Sequence, residues 1–130
     1  MSLSASMNNF LMEEFNGKRI RIRDIDGYVN ASDLCKTHTK RIDSHEYFRN
    51  NDSKLFINEL STTTGIPVVK LVEKIIGGKT PGTWLHPRLA IDFARWVSPE
   101  LAVQILNAIN QVKDIWNNDS NYPTINDDSD

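Results

Sequence analysis

Residues 18–23 of this 130-residue chain read Lys-Arg-Ile-Arg-Ile-Arg. That strict alternation is the period of a half-buried strand. Side chains alternate faces along a strand, so Ile20 and Ile22 share one side and Arg19, Arg21 and Arg23 line the other. Asp26-Gly27 is a hairpin-turn dipeptide, and Tyr28-Val29 starts the returning strand. The arginine face is a basic stripe, or it pairs with Asp24, Asp26 or nearby glutamates; both uses are open at this stage.

A second hairpin is expected from Val68 to Leu85. Val68 to Ile76 is rich in β-branched residues, with Lys70, Val72 and Lys74 on one strand face. It runs into Gly77-Gly78-Lys79-Thr80-Pro81-Gly82 and returns through Thr83-Trp84-Leu85. Between the hairpins lie three short helices. Asn30 or Ser32 caps the first, which runs through Leu34, Cys35 and His38. Ser44 caps the second, around Tyr47 and Phe48. Ser53 caps the third, which buries Leu55, Phe56 and Leu60 and ends at Gly65. Pro87 suits a first helical turn, with His86 ordering the junction and Leu89, Phe93, Trp96 and Val97 as the apolar stripe. Ser98-Pro99-Glu100 then starts a longer helix carrying Leu101, Ile105, Ala108, Ile109, Val112 and Trp116 at helical spacing. Trp84, Trp96 and Trp116 are expected in the core.

The charge balance divides along the chain. The net charge is −2, yet residues 18–113 hold 15 bases against 10 acids, a net +5 flanked by acidic ends. An acidic average therefore hides a basic middle. One cysteine excludes an internal disulfide framework or a cysteine-rich zinc module and points to a reducing, intracellular compartment. No apolar run is long enough for a membrane span, and no secretory leader is visible. Residues 1–10 are expected to be a disordered leader, with Met7 consistent with a vector-derived start. Residues 11–116 form the domain, and 117–130 an acidic disordered tail or linker.

Two constellations can carry chemistry. The glycine-rich tip, with Lys79 and small neighbours, can approach a phosphate backbone closely. It is no nucleotide-cradling loop: Glu73 stands where that loop needs its first glycine. The second is a basic set, Lys36, Lys40, Arg41, Arg49 and Lys54, with Asn50 and Asn51 among them; asparagine can read adenine. Cys35, His38 and His45 read as a buried helical cysteine with two surface histidines rather than metal ligands, and no nucleophile or paired-carboxylate signature appears. Neither catalysis nor a cofactor is expected.

Tyr28-Val-Asn-Ala-Ser-Asp-Leu-Cys35 resembles the opening of the KilA-N domain. Gly77-Gly-Lys-Thr-Pro-Gly-Thr-Trp84, then Leu-His-Pro-Arg-Leu-Ala-Ile91 and Ala94-Arg-Trp-Val-Ser-Pro-Glu100, is similar to its second half, in the same order and spacing. KilA-N domains occur in large DNA viruses, phages and bacteria and resemble the APSES DNA-binding domain of fungal transcription factors. The resemblance, over about residues 11–113, implies a small α+β, winged-helix-like fold: two β-hairpins packed on short helices and a longer C-terminal helix. The helix after Val29 and the segment from Ser44 to Leu60 would be the helix-turn-helix, and the Gly77-Gly78 hairpin the wing. APSES relatives place a DNA-contacting glutamine just before the glycine pair; here Ile76 stands there and cannot make that hydrogen bond. Where KilA-N members commonly carry a tryptophan soon after the Phe48-like position, this chain has Arg49-Asn-Asn-Asp52.

The expected partner is double-stranded DNA, with no membrane. Its contacts would come from Lys36, Lys40, Arg41, Arg49, Asn50 and Lys54 on the helical unit, and from Lys74, Gly77, Gly78, Lys79 and Thr80 on the wing. Asn50 is the candidate for a base edge. Some viral members join this domain to a RING finger or a nuclease, so a C-terminal partner module outside this chain is also expected. Two alternatives stay open: a protein-interaction module of the same fold, and the DNA-targeting fragment of a larger enzyme.

Overall fold

The computed structural model describes residues 10–116, with side chains through residue 112. Strands β1 (Phe10–Phe15) and β2 (Lys18–Arg23) pair antiparallel from Phe10↔Arg23 to Phe15↔Lys18. Asn16 and Gly17 join them at φ of 54° and 76°. Positive φ at both central residues suits the right-handed twist of a two-residue hairpin, and Asn-Gly is its strongest short signal. Sequence reading passed over β1 because adjacent Glu13 and Glu14 look like a solvated fringe. Glu13 is in fact buried, with Oε2 accepting from Gln104 Nε2 at 2.8 Å. Phe10, assigned to the leader by sequence, opens β1 and is buried.

After the turn at residues 24–27 the chain forms β3 (Val29–Asn30), then helix α1 (Ala31–Lys36). Helices α2 (Ser44–Arg49) and α3 (Asn51–Thr64) follow, and then a single helical turn, α4 (Val68–Leu71). β4 (Val72–Ile75) and β5 (Gly82–Leu85) make the second hairpin; α5 (Pro87–Val97) and α6 (Pro99–Trp116) complete the fold. The five strands form one antiparallel sheet in the order β1-β2-β3-β5-β4. This is an α+β domain.

The helix caps bear out Asn30 and correct the expectation at the other two helices. Asn30, Asp43 and Asn50 cap α1, α2 and α3, each accepting from backbone N–H groups of the first turn. Ser44 and Ser53 lie inside the helices they were expected to cap. In α3, Ser53, Ile57 and Leu60 form the buried stripe at helical spacing, while Leu55 is 67% exposed and Phe56 is also exposed. α1 ends at Lys36, before His38. The expected strand from Val68 is also half wrong. Pro67 leads into a helical turn, Leu71 is wholly buried, and the Lys70 and Leu71 carbonyls accept from Tyr28 Oη and His86 N–H. Tertiary partners for those groups override the strand propensity of Val68 and Val69.

The core lies between one sheet face and the helices. Ile20, Ile22, Val29 and Leu85 meet Leu34, Leu71, Leu89, Phe93, Leu101, Ile105 and Ile109, all essentially inaccessible. The α5 and α6 stripes fall where helical spacing places them, although Trp96 is only partly buried. The expectations for Trp116 and for the two chain ends lie outside the described side chains and residues.

Candidate nucleic-acid interface

Alternation along β2 sends its arginines to the sheet face opposite the core, where they build a second layer. Trp84 is wholly buried there and stacks on Phe10, with ring centroids 5.4 Å apart and planes 10° from parallel. The Arg21 and Arg23 guanidinium carbons lie 5.4 and 5.7 Å from the Trp84 ring. Arg21 is fixed by Asp33 of α1, which accepts from its backbone N–H at 3.0 Å and its Nε at 2.8 Å. Arg23 is fixed by Asp26 at 2.6 Å and Glu73 at 3.1 Å. Both side chains are committed to holding β2 against α1 and β4. Of the two uses open for this stripe, ion pairing is the one realised at Arg21 and Arg23.

The same layer anchors the glycine-rich tip. Trp84 Nε1–H donates to the Thr80 carbonyl at 3.2 Å. Gly82, at φ 133°, passes so close to Asn30 that a Cβ would lie 2.8 Å from its Nδ2. Asn30 cannot easily move away, because its Oδ1 caps α1 through Asp33 N–H. At Gly77 and Gly78 the demand is conformational: φ is 74° and 76°, and a Cβ would meet nothing within 4 Å. Lys74 on the edge strand β4 and Lys79 in the loop are exposed, and Ile76 is 97% exposed. Sequence reading recognised the hairpin but had no means of finding that Ile76 is left bare.

The helical cations fall in two places. Lys36, Lys40 and Arg41 line an open recess of about 710 Å³ in the loop between α1 and α2. Histidines shape that loop. His38 Nδ1 accepts from Lys40 N–H at 2.9 Å, while His45 Nδ1 contacts Asp43 Oδ1 at 2.9 Å. The His45 backbone N–H, first among several contacts, holds the Asp43 carboxyl below its usual range. Arg49 and Asn50 mark the α2–α3 junction, and Lys54 stands in the first turn of α3. Asn50 instead lines a second recess of about 540 Å³ with Phe56, Asp92, Arg95 and Trp96. Its Oδ1 accepts from Asp52 N–H at 2.8 Å and Ser53 N–H at 3.4 Å. Reading adenine needs both ends of the carboxamide, so Asn50 has only its NH₂ group to offer while it caps α3.

None of Lys36, Lys40, Arg41, Arg49, Lys54, Lys74 and Lys79 enters an ion pair among the described residues, and all seven are exposed. Cys35 is buried in the core, and burial foremost, with Asp43 and Glu46 adding to it, pushes its thiol up to about 11. A thiol so placed is no nucleophile near neutral pH. Among the described residues no group of three or more His, Cys, Asp or Glu could hold a metal ion, and no helix is long and apolar enough to cross a membrane.

Fold and surface define a small α+β domain with two committed arginines in its frame and exposed, uncommitted cations on α1–α3, the α1–α2 loop and the β4–β5 hairpin. The chain belongs to the KilA-N domain family, whose sequence profile matches residues 13–115. KilA-N domains are a DNA-binding type of domain. Three relatives come from Acanthamoeba polyphaga mimivirus. KilA-N domain-containing protein L4 is 31% identical over 105 residues, covering 78% of this chain and 23% of its own. Protein L32 is 35% identical over 90 residues, covering 67% and 24%. Protein R878 is 30% identical over 104 residues, covering 75% and 29%. The chain thus spans about a quarter of the length of these relatives. No solved structure matches.

Proposed function

We propose that this chain is a non-catalytic, double-stranded DNA-binding domain that holds duplex mainly through its phosphates, in a winged helix-turn-helix arrangement. The observation that carries this reading is the division of the cations. Arg21 and Arg23 are fixed inside the frame, while Lys36, Lys40, Arg41, Arg49, Lys54, Lys74 and Lys79 are exposed and unpaired among the described residues. A cation with no internal partner keeps its full charge for a phosphate. In this reading Lys36, Lys40 and Arg41 meet the backbone from the α1–α2 loop, and Arg49 and Lys54 from the α2–α3 unit. The β4–β5 wing contributes Lys74, Lys79, the Thr80 hydroxyl and the N–H groups of Gly77 and Gly78. Asn50 donates through its NH₂ and adds little base discrimination.

Fluorescence anisotropy of the full chain on random-sequence duplex, over several salt concentrations, tests the reading. With about six phosphates neutralised, log K falls against log salt with a slope near −5. Lys79→Ala reduces that slope by about one. Absence of salt-dependent binding at about 50 mM salt and micromolar protein rejects DNA binding by this chain. Single-stranded DNA and RNA competitors identify the preferred nucleic acid, and a stronger competitor than duplex overturns the double-stranded assignment.

A further inference from the structure

Ile76 is 97% exposed, the barest of the large apolar side chains among the described residues. The last register pair of the hairpin is Ile75↔Gly82, so Ile76 is the first residue beyond the ladder. It belongs to no part of the core, and nothing in the fold depends on its being apolar. The glycines that follow it add no side chains, and open space surrounds them. Residues 74–82 contain two lysines, Lys74 and Lys79, and no acid. The nearest acid, Glu73, is held by Arg23. At its base the loop is tied by Trp84 to the Thr80 carbonyl. The result is a slim, anchored, basic finger with one apolar residue projecting from it.

We infer that Ile76 is an apolar wedge, inserted from the minor groove between two base pairs of the bound duplex. This rests on the DNA-binding reading and adds to it what the tip does. The minor groove is only about 6 Å wide, and a side-chain-free glycine pair lets the backbone follow Ile76 into it. Lys74 and Lys79 meet the phosphates on the groove walls. An aliphatic side chain between stacked bases partly unstacks them and kinks the duplex. Such a contact reads deformability, favouring easily unstacked pyrimidine–purine steps.

The test uses the full chain and a 2-aminopurine-labelled duplex containing a central TA step, with a donor–acceptor dye pair on the ends. The native protein is expected to raise 2-aminopurine fluorescence and bend the duplex by between about 20° and 90°. Ile76→Ser and Ile76→Gln should lose both signals, and Ile76→Ser should weaken binding by about tenfold or more, the contact value of one buried aliphatic side chain. Their salt slope should stay unchanged, because no charge is altered. Ile76→Leu should retain bending and brightening. Thermal melts of all three should match the native protein, since Ile76 supports no packing. Unaltered bending and 2-aminopurine signal in Ile76→Ser overturn the wedge, as does native binding that produces neither signal. Failure of the native protein to bind duplex at any salt rejects the DNA-binding reading itself, an outcome separate from the loss of a kink.

Discussion

His86 stands where a charged imidazole would be expelled. Its Nδ1 accepts from the Arg88 N–H at 3.1 Å as the cap of α5, so the ring must present a lone pair there. Tyr28 packs edge-on against it. Burial, followed by the Arg88 charge, lowers its pKa from 6.5 to about 4 despite an opposing pull from Asp26. Between those values the unfolded chain binds a proton that the folded chain refuses. Stability from this site is therefore complete above pH 6.5 and is lost as pH falls towards 4. At pH 5 the loss amounts to about 2 kcal/mol. Asparagine can cap the same turn without titrating, so His86→Asn isolates the effect. Urea midpoints at pH 7.5 and 5 should show the native protein losing more stability than the variant. Equal losses would mean that His86 is protonated in the fold.

At the scale of elements, the three glycines of the β4–β5 hairpin, Gly77, Gly78 and Gly82, separate into two kinds. Gly78 needs only a left-handed backbone, so Gly78→Ala costs about 1 kcal/mol. Gly82 combines φ 133° with a Cβ position 2.8 Å from the helix-capping, buried Asn30 side chain. Gly82→Ala should cost about 2–4 kcal/mol, through strain and a lost cap. Urea denaturation of the two variants checks the ranking, and equal costs would count against the Asn30–Gly82 contact. That contact also explains what was legible. Asn30 and Gly82 belong to the two sequence blocks that resemble the family, and the fold presses one against the other. α5 and α6 were legible because Pro87 and Pro99 fix where each helix begins and their apolar stripes are long. Strand β1 was hidden by a buried glutamate, despite its Asn16-Gly17 turn. The turn at Val68–Leu71 was hidden because its hydrogen-bond partners, Tyr28 and His86, are distant in sequence. In the candidate interface, residue types showed where cations are plentiful. Which arginines are already bound depends on contacts such as Arg23–Glu73, made between strands distant in sequence.

Viewed as a whole molecule, the chain carries its charge in opposition: net +5 over residues 18–113 and acids at both ends. With Arg21 and Arg23 fixed within the frame, the exposed cations left for a partner include those of α1–α3, the α1–α2 loop and the β4–β5 hairpin. Residues 117–130 hold Asp119, Asp127, Asp128 and Asp130 and no base. Four carboxylates tethered to the domain would, on reaching that surface, compete with phosphates for exposed lysines at an effective concentration that free anions cannot match. Screening lengths of about 10 Å at 0.1 M salt limit that competition to low ionic strength. Deleting residues 117–130 moves the net charge from −2 to +2. The shortened chain should bind duplex about tenfold more tightly at 50 mM salt. Its log K should also fall more steeply with log salt, because salt weakens the competing carboxylates in the intact chain along with the DNA contacts. The two curves should therefore converge as salt rises. Anisotropy titrations of both chains on one duplex decide the matter: superimposable curves at every salt concentration would show that these four carboxylates do not reach the basic surface.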